Sequence, residues 1–159
     1  MSRRRLPALS LTVAVLMVSG CGGSTGSSAA LTRSELIARG DAICRRINAK
    51  IRATKVSTAQ DYARVAPPLA AYEQTAVIEM RKLTPPASIA NGWRQIVSGA
   101  QMLANGTTKL GEYAQTSNPF EVAHQTPSVH AAFAATTEGP KQMVTAAQRG
   151  GFKDCAQTP

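Results

Sequence analysis

Few residues in this chain are of a type that does chemistry, and they are widely spaced. The 159 residues include three cysteines (Cys21, Cys44, Cys155), two histidines (His124, His130) and nine carboxylates. A serine hydrolase needs a nucleophile, a histidine base and an orienting acid, yet no G-x-S-x-G and no S-x-x-K occurs among the serines. His124 and His130 are six residues apart, a spacing that does not share a helix face, so they read as surface or cap residues. The nine acids are spread thinly, which disfavours the paired carboxylates of glycoside chemistry. Neither a phosphate-binding glycine loop nor a dinucleotide fingerprint is present. Metal ligands cluster at spacings such as C-x₂₋₄-C, whereas Cys44 and Cys155 stand 111 residues apart. A catalytic thiol requires a histidine partner and a lowered pKa, which a sequence does not display. No enzyme activity, cofactor or metal is therefore expected, and the two late cysteines are left as a redox pair or a structural one.

Cys21 sits in a different context. Arg3, Arg4 and Arg5 precede an apolar run from Leu6 to Val18, and Ser19 and Gly20 lead into the cysteine, the order of a basic region, a hydrophobic region and a small-residue cleavage site. The run is shorter than the roughly 20 residues a membrane span needs, and Pro7 breaks it early. Val18-Ser19-Gly20-Cys21 resembles the lipobox of bacterial lipoproteins. That resemblance implies a signal peptide over residues 1–20 and a diacylglyceryl, N-acylated (palmitate-type) Cys21. It also implies attachment to the cell membrane on its extracytoplasmic face. Each buried methylene contributes about 0.8 kcal/mol and stable anchoring takes two chains, a condition that one multiply acylated cysteine meets. Residues 21–31 then form a Gly/Ser-rich linker, whose stretch from Gly22 to Ala30 spans about 17 Å as a flexible coil.

With Cys21 assigned to lipid, an even pair remains in an oxidising compartment, and a Cys44–Cys155 disulfide is expected. Such a bond would tie the first helix to the last residues of the domain. Three of the 18 basic residues precede Cys21, leaving fifteen against nine acids, a net +6. Seven of these lie between Arg33 and Lys55. Near a lipid anchor they would be drawn to anionic head groups at about 1 kcal/mol each, or they form a solvated helix face. Nucleic acid is not expected, because three Phe, three Tyr and one Trp offer little surface for stacking bases.

The elements that must position everything else read as helices. Thr32-Arg33-Ser34-Glu35 has capping-box spacing, and Leu36, Ile43, Ile47 and Ile51 recur behind it, predicting a helix over Ser34–Ala53. A second start at Ser57 to Gln60 leads into a stripe through Tyr62, Leu69, Tyr72, Ala76 and Met80. Pro67-Pro68 interrupts it, predicting a kinked helix or two coaxial pieces. A third helix is predicted from about Pro86 through Trp93, Ile96 and Leu103 to Leu110, loosened at Gly106. A loop over Gln115–Pro127 precedes a last helix, Ser128–Arg149, kinked at Gly139-Pro140 and stopped at Gly150-Gly151. After the stop, Phe152 is expected to fold back on the bundle. No long stretch alternates at period two, so the fold class expected is all-α, an antiparallel bundle of about four helices spanning residues 32–156.

The segments "DAICRRINAKI" (Asp41–Ile51), "LTPPAS" (Leu83–Ser88) and "GFKDCA" (Gly151–Ala156) resemble a group of small secreted or lipid-anchored helical proteins of actinobacteria. The 27 alanines and the excess of Arg over Lys, 12 to 6, fit such a high-GC source. The group pairs an early helical cysteine with one near the C-terminus and implies no activity. Two functions are expected before any enzyme. One is a non-catalytic interaction module that contacts an envelope protein. The other is a carrier of an apolar or lipid-like ligand held between helices near Pro67-Pro68 and Gly139-Pro140. Tyr62, Tyr72, Trp93, Met102 and Met143 are the residues that would line such a site, and the same types also make an ordinary core.

Overall fold

Thr32 and Thr58 each open a helix by a reciprocal exchange. The Thr32 hydroxyl accepts from the Glu35 amide at 3.3 Å while the Glu35 carboxylate accepts from the Thr32 amide at 2.8 Å. Thr58 and Asp61 repeat the pattern at 3.0 and 3.2 Å, satisfying amides that a helix start otherwise leaves unpaired. The protein, seen here as a computed structural model, is described over residues 29–118 and 126–157. Cys21, the signal-like segment, most of the linker, and His124 lie outside the described residues. Four helices follow in order: α1 (Arg33–Ala53), α2 (Ala59–Arg81), α3 (Ala90–Ala114) and α4 (Pro127–Gly150). A 3₁₀ turn, Ala87–Ile89, leads into α3, so the third helix begins after Pro86 and not at it. Among the described residues there is no strand, and the fold is the all-α bundle expected.

α2 runs unbroken through Pro67 and Pro68, and α4 through Gly139 and Pro140, which removes the two-piece reading of α2. A proline in a helix interior deletes one backbone donor and crowds the preceding turn. In α2 both prolines are exposed, so the carbonyls they leave unpaired lie on the solvated side. The buried face next to them, Ala66 and Ala70, stays packed.

Gly106 does not loosen α3. It is buried, and a Cβ there would stand 2.8 Å from the Ala132 carbonyl and 2.7 Å from Thr136 Cγ2. Further along the same seam, a Cβ on Gly99 would meet the Gly139 carbonyl at 2.5 Å, and one on Gly139 the Gly99 carbonyl at 2.6 Å. Glycine at these points lets the backbones of α3 and α4 touch. α3 also packs along α2, whereas α2 and α4 make no extended contact with each other among the described residues.

The core divides in two. The larger part gathers Leu36 and Ile43 of α1, Met80 of α2, Ile96 of α3 and Ala147 of α4 at the end where the chain's last residues return. Each large side chain there contributes about 1.5–3 kcal/mol by leaving water. Gly151, with φ +82°, ends α4 in the left-handed region that favours glycine. Phe152 then folds back and stacks on Trp93, ring centres 5.6 Å apart. The buried Asp41 carboxylate accepts from the amides of Lys153, Asp154 and Cys155 at 2.9 to 3.2 Å, which seats the C-terminal turn against α1. Cys155 and Cys44 are bonded there, Sγ–Sγ 2.03 Å. The smaller core, Leu110, Val129 and Ala132, lies at the opposite end with Tyr62, Tyr113 and Phe133 packed on it.

Candidate functional site

Between the two cores, α2 and α4 stand apart over α3 and leave a cleft of about 650 Å³. Leu69 of α2, Leu103 and Leu110 of α3, and Phe133 and Val144 of α4 supply its apolar walls. Ile51, near the end of α1, closes one side. Tyr62, Thr107 and Glu73 add polar atoms, and the exposed Lys141 stands at the rim, paired with Glu138 at 2.8 Å. The volume is within the range of small-molecule pockets, about 300–1,000 Å³.

Glu73 is the unusual member. It occupies the buried face of α2 with 3% of its surface exposed, and the Thr107 hydroxyl lies beside its carboxyl. Its Oε2 has no hydrogen-bond partner among the described residues. Burial pushes its carboxyl up to about 7, against the opposing pull of the Thr107 hydroxyl. An acid in an apolar setting disfavours its charged form, and no basic side chain offsets it here. Burial also pushes the Tyr62 phenol up to about 12, with the Glu73 charge adding to the effect.

Of the five residues expected to line a ligand site, Tyr62 alone faces this cleft. Trp93 and Met143 belong to the larger core, each 3% exposed, and Trp93 is spent on its stack with Phe152. Met102 lies beside Gly139 on the α3–α4 seam. Tyr72 rests half-buried against the larger core and borders a recess of only about 50 Å³. Tyr72 of α2, Trp93 of α3 and Met143 of α4 all lie in or against the larger core, which α1 helps to form.

The sequence marks Leu69 and Leu103 only as apolar stripe residues, and it singles out neither Glu73 nor Thr107. The signal for Glu73 is there: Ala66, Leu69, Glu73, Ala76 and Met80 follow helical spacing, so an acid sits on an otherwise apolar stripe. His130 is exposed in the first turn of α4. No group of three His, Cys, Asp or Glu side chains comes together to hold a metal among the described residues, and no described helix is long and apolar enough to cross a membrane. The seven basic residues from Arg33 to Lys55 are all exposed. Arg45 pairs with Asp154 and Arg46 with Glu79, while Arg33 donates to the Gly150 carbonyl.

A second recess, about 840 Å³, lies between residues 56–60 and 114–118. Ser57, Thr58, Gln60, Gln115 and Thr116 make it polar, and no buried ionisable group lines it. What the first cleft offers is a mostly apolar surface in which Glu73 is the buried ionisable group. The chain matches no protein-family model, and no curated protein and no solved structure is similar to it.

Proposed function

We propose that this protein is a lipid-anchored binding protein of the cell envelope, which holds an apolar or lipid-like ligand in the cleft between α2, α3 and α4. The observation that carries the reading is the cleft itself, about 650 Å³ of mostly apolar wall with a buried carboxyl at its base. The lipobox-like Val18-Ser19-Gly20-Cys21 supports attachment to the extracytoplasmic face of the membrane. The linker would let the bundle stand off by about 17 Å and turn its cleft toward the bilayer or away from it. The exposed basic face of α1 suits anionic head groups as a secondary contact.

The reading as a pure interaction module has less support. A docking face needs a contiguous apolar patch, and the large hydrophobic side chains exposed among the described residues are Val56 and Ile78. The proposal is tested by mass spectrometry of lipid extracted from gently purified protein. An apolar molecule that co-purifies, and is lost from the cleft-filling variant Val144→Trp, is the expected result. Absence of any such molecule, together with failure of the stripped protein to take up an apolar dye, overturns the reading.

A further inference from the structure

The cleft's base holds an acid and no base to match it. Glu73 lines a mostly apolar cleft, with the Thr107 hydroxyl beside its carboxyl, and its buried Oε2 has no hydrogen-bond partner among the described residues. Each helix around the cleft contributes differently to its charge. From α1 comes Ile51; from α2, Tyr62, a weak acid; from α3, Thr107 and Leu103; from α4, Lys141, which is exposed at the rim and paired with Glu138. A neutral hydrocarbon would fill the space and leave the acid unanswered. A fatty acid would bring a second carboxylate beside the first, and like charges in a low-dielectric site repel. An amine answers both demands, because a charged N–H donor on a buried carboxylate makes one of the stronger hydrogen bonds available.

We propose that the cleft selects a hydrophobic amine, with its alkyl or ring skeleton between α2, α3 and α4 and its ammonium donating to the Glu73 carboxylate. This rests on the reading of the cleft as an apolar ligand site, and it names the class of ligand that site prefers. Binding is a proton-linked event. A bound ammonium favours the carboxylate form of Glu73, so near pH 7, where the free protein is about half protonated at this group, complex formation releases about half a proton. Amine affinity accordingly falls as the pH drops below 7, while the affinity for a neutral molecule of the same skeleton does not.

The test is calorimetric titration of purified full-length protein in nanodiscs, with empty nanodiscs subtracted, using heptylamine, heptanol and heptanoate. At pH 8 the amine is expected to bind about tenfold or more tightly than the alcohol, the scale of a charge-assisted hydrogen bond. Glu73→Gln should bring amine and alcohol level. Proton release, read from buffers of different ionisation heat, should accompany heptylamine and not heptanol, and it needs no variant. Equal binding of amine and alcohol, both blocked by Val144→Trp, overturns the amine preference and leaves the apolar site standing. Tightest binding of heptanoate overturns the preference in the same way. If none of the three binds, the site itself falls with it.

Discussion

Replacing Glu73 by Gln removes an ionisable group while keeping the shape of the side chain beside Thr107, and its effect on stability is calculable. Burial raises the carboxyl from 4.5 to about 7. At about 1.36 kcal/mol per pH unit, the charged form is penalised by about 3 kcal/mol in the folded state at pH 8. The sign follows from proton counts. Between 4.5 and 7 the folded protein binds more protons at this group than the unfolded chain does, so stability falls as pH rises through that window and levels off above it. Integrated at pH 5 the same penalty is only about 1 kcal/mol. The Gln variant has no such penalty, but its buried amide carries a cost of its own that does not depend on pH. Comparing the two proteins at both pH values cancels that cost, along with the contributions of Glu35 and Asp61, whose carboxyls are held low by Thr32 and by Arg64. Glu73→Gln should therefore be more stabilising at pH 8 than at pH 5 by about 2 kcal/mol. Urea unfolding followed by fluorescence measures it, because Trp93 is the single tryptophan and is buried in the larger core. A difference below about 1 kcal/mol would refute the placement of Glu73 in an apolar, unpaired environment.

Three other perturbations have calculable or directional outcomes. Removing the disulfide by Cys44→Ser with Cys155→Ser opens a loop with 111 residues of sequence separation. In the chain-entropy account this costs about 4–5 kcal/mol, read as a lower urea midpoint. Gly99→Ala places a Cβ 2.5 Å from the Gly139 carbonyl, which is backbone and cannot rotate away. It should destabilise by about 1–3 kcal/mol, whereas Gly92→Ala, with nothing within 4 Å of its Cβ, should stabilise by up to about 1 kcal/mol; thermal melts of both variants separate a contact effect from a propensity effect. Cys21→Ala should shift the protein from membrane to soluble fractions or block its processing, and unchanged retention in membranes would remove the lipid anchor.

How much could be read in advance depended on whether the determining contact was local. Thr32 and Glu35 mark a helix start because both partners lie within one turn, and the structure puts them there. Gly151 ends α4 for a reason equally local. The prolines were harder, since local rules penalise Pro67, Pro68 and Pro140 while packing of the opposite face keeps both helices whole. Gly106 was read as a weak point because propensity sees one helix at a time. Its function, close approach to Ala132 and Thr136, exists only once α4 is beside α3. The cleft fell between these cases. Its lining includes Leu69 and Pro140 but not Pro67, Pro68 or Gly139. Reading apolar types as lining and polar types as surface passed over Glu73, the residue that distinguishes this cleft from a gap in the packing.

The position of the cleft follows from the length of one helix. α1 buries its last side chains at Ile47 and Asn48 and stops at Ala53, and residues 55–58 are exposed. Beyond that point the bundle has three helices where four would fill the space. α2 and α4 each pack on α3 without an extended contact between them, so the groove above α3 stays open and its apolar walls stay partly wetted. Leaving such surface in water forgoes roughly 25 cal/mol for every Å² not covered, and holding Glu73 there adds its own penalty. The opposite end bears the compensation: a disulfide, three amides on Asp41, the Trp93–Phe152 stack and the larger core all lie where α1 is present. The glycine contacts at Gly99 and Gly106 fix α4 on α3 along the groove itself, so the groove cannot close by sliding one helix toward the other. Stability is concentrated at one end, and the other keeps an open, acid-based cavity at a cost that only an occupant of complementary chemistry would repay.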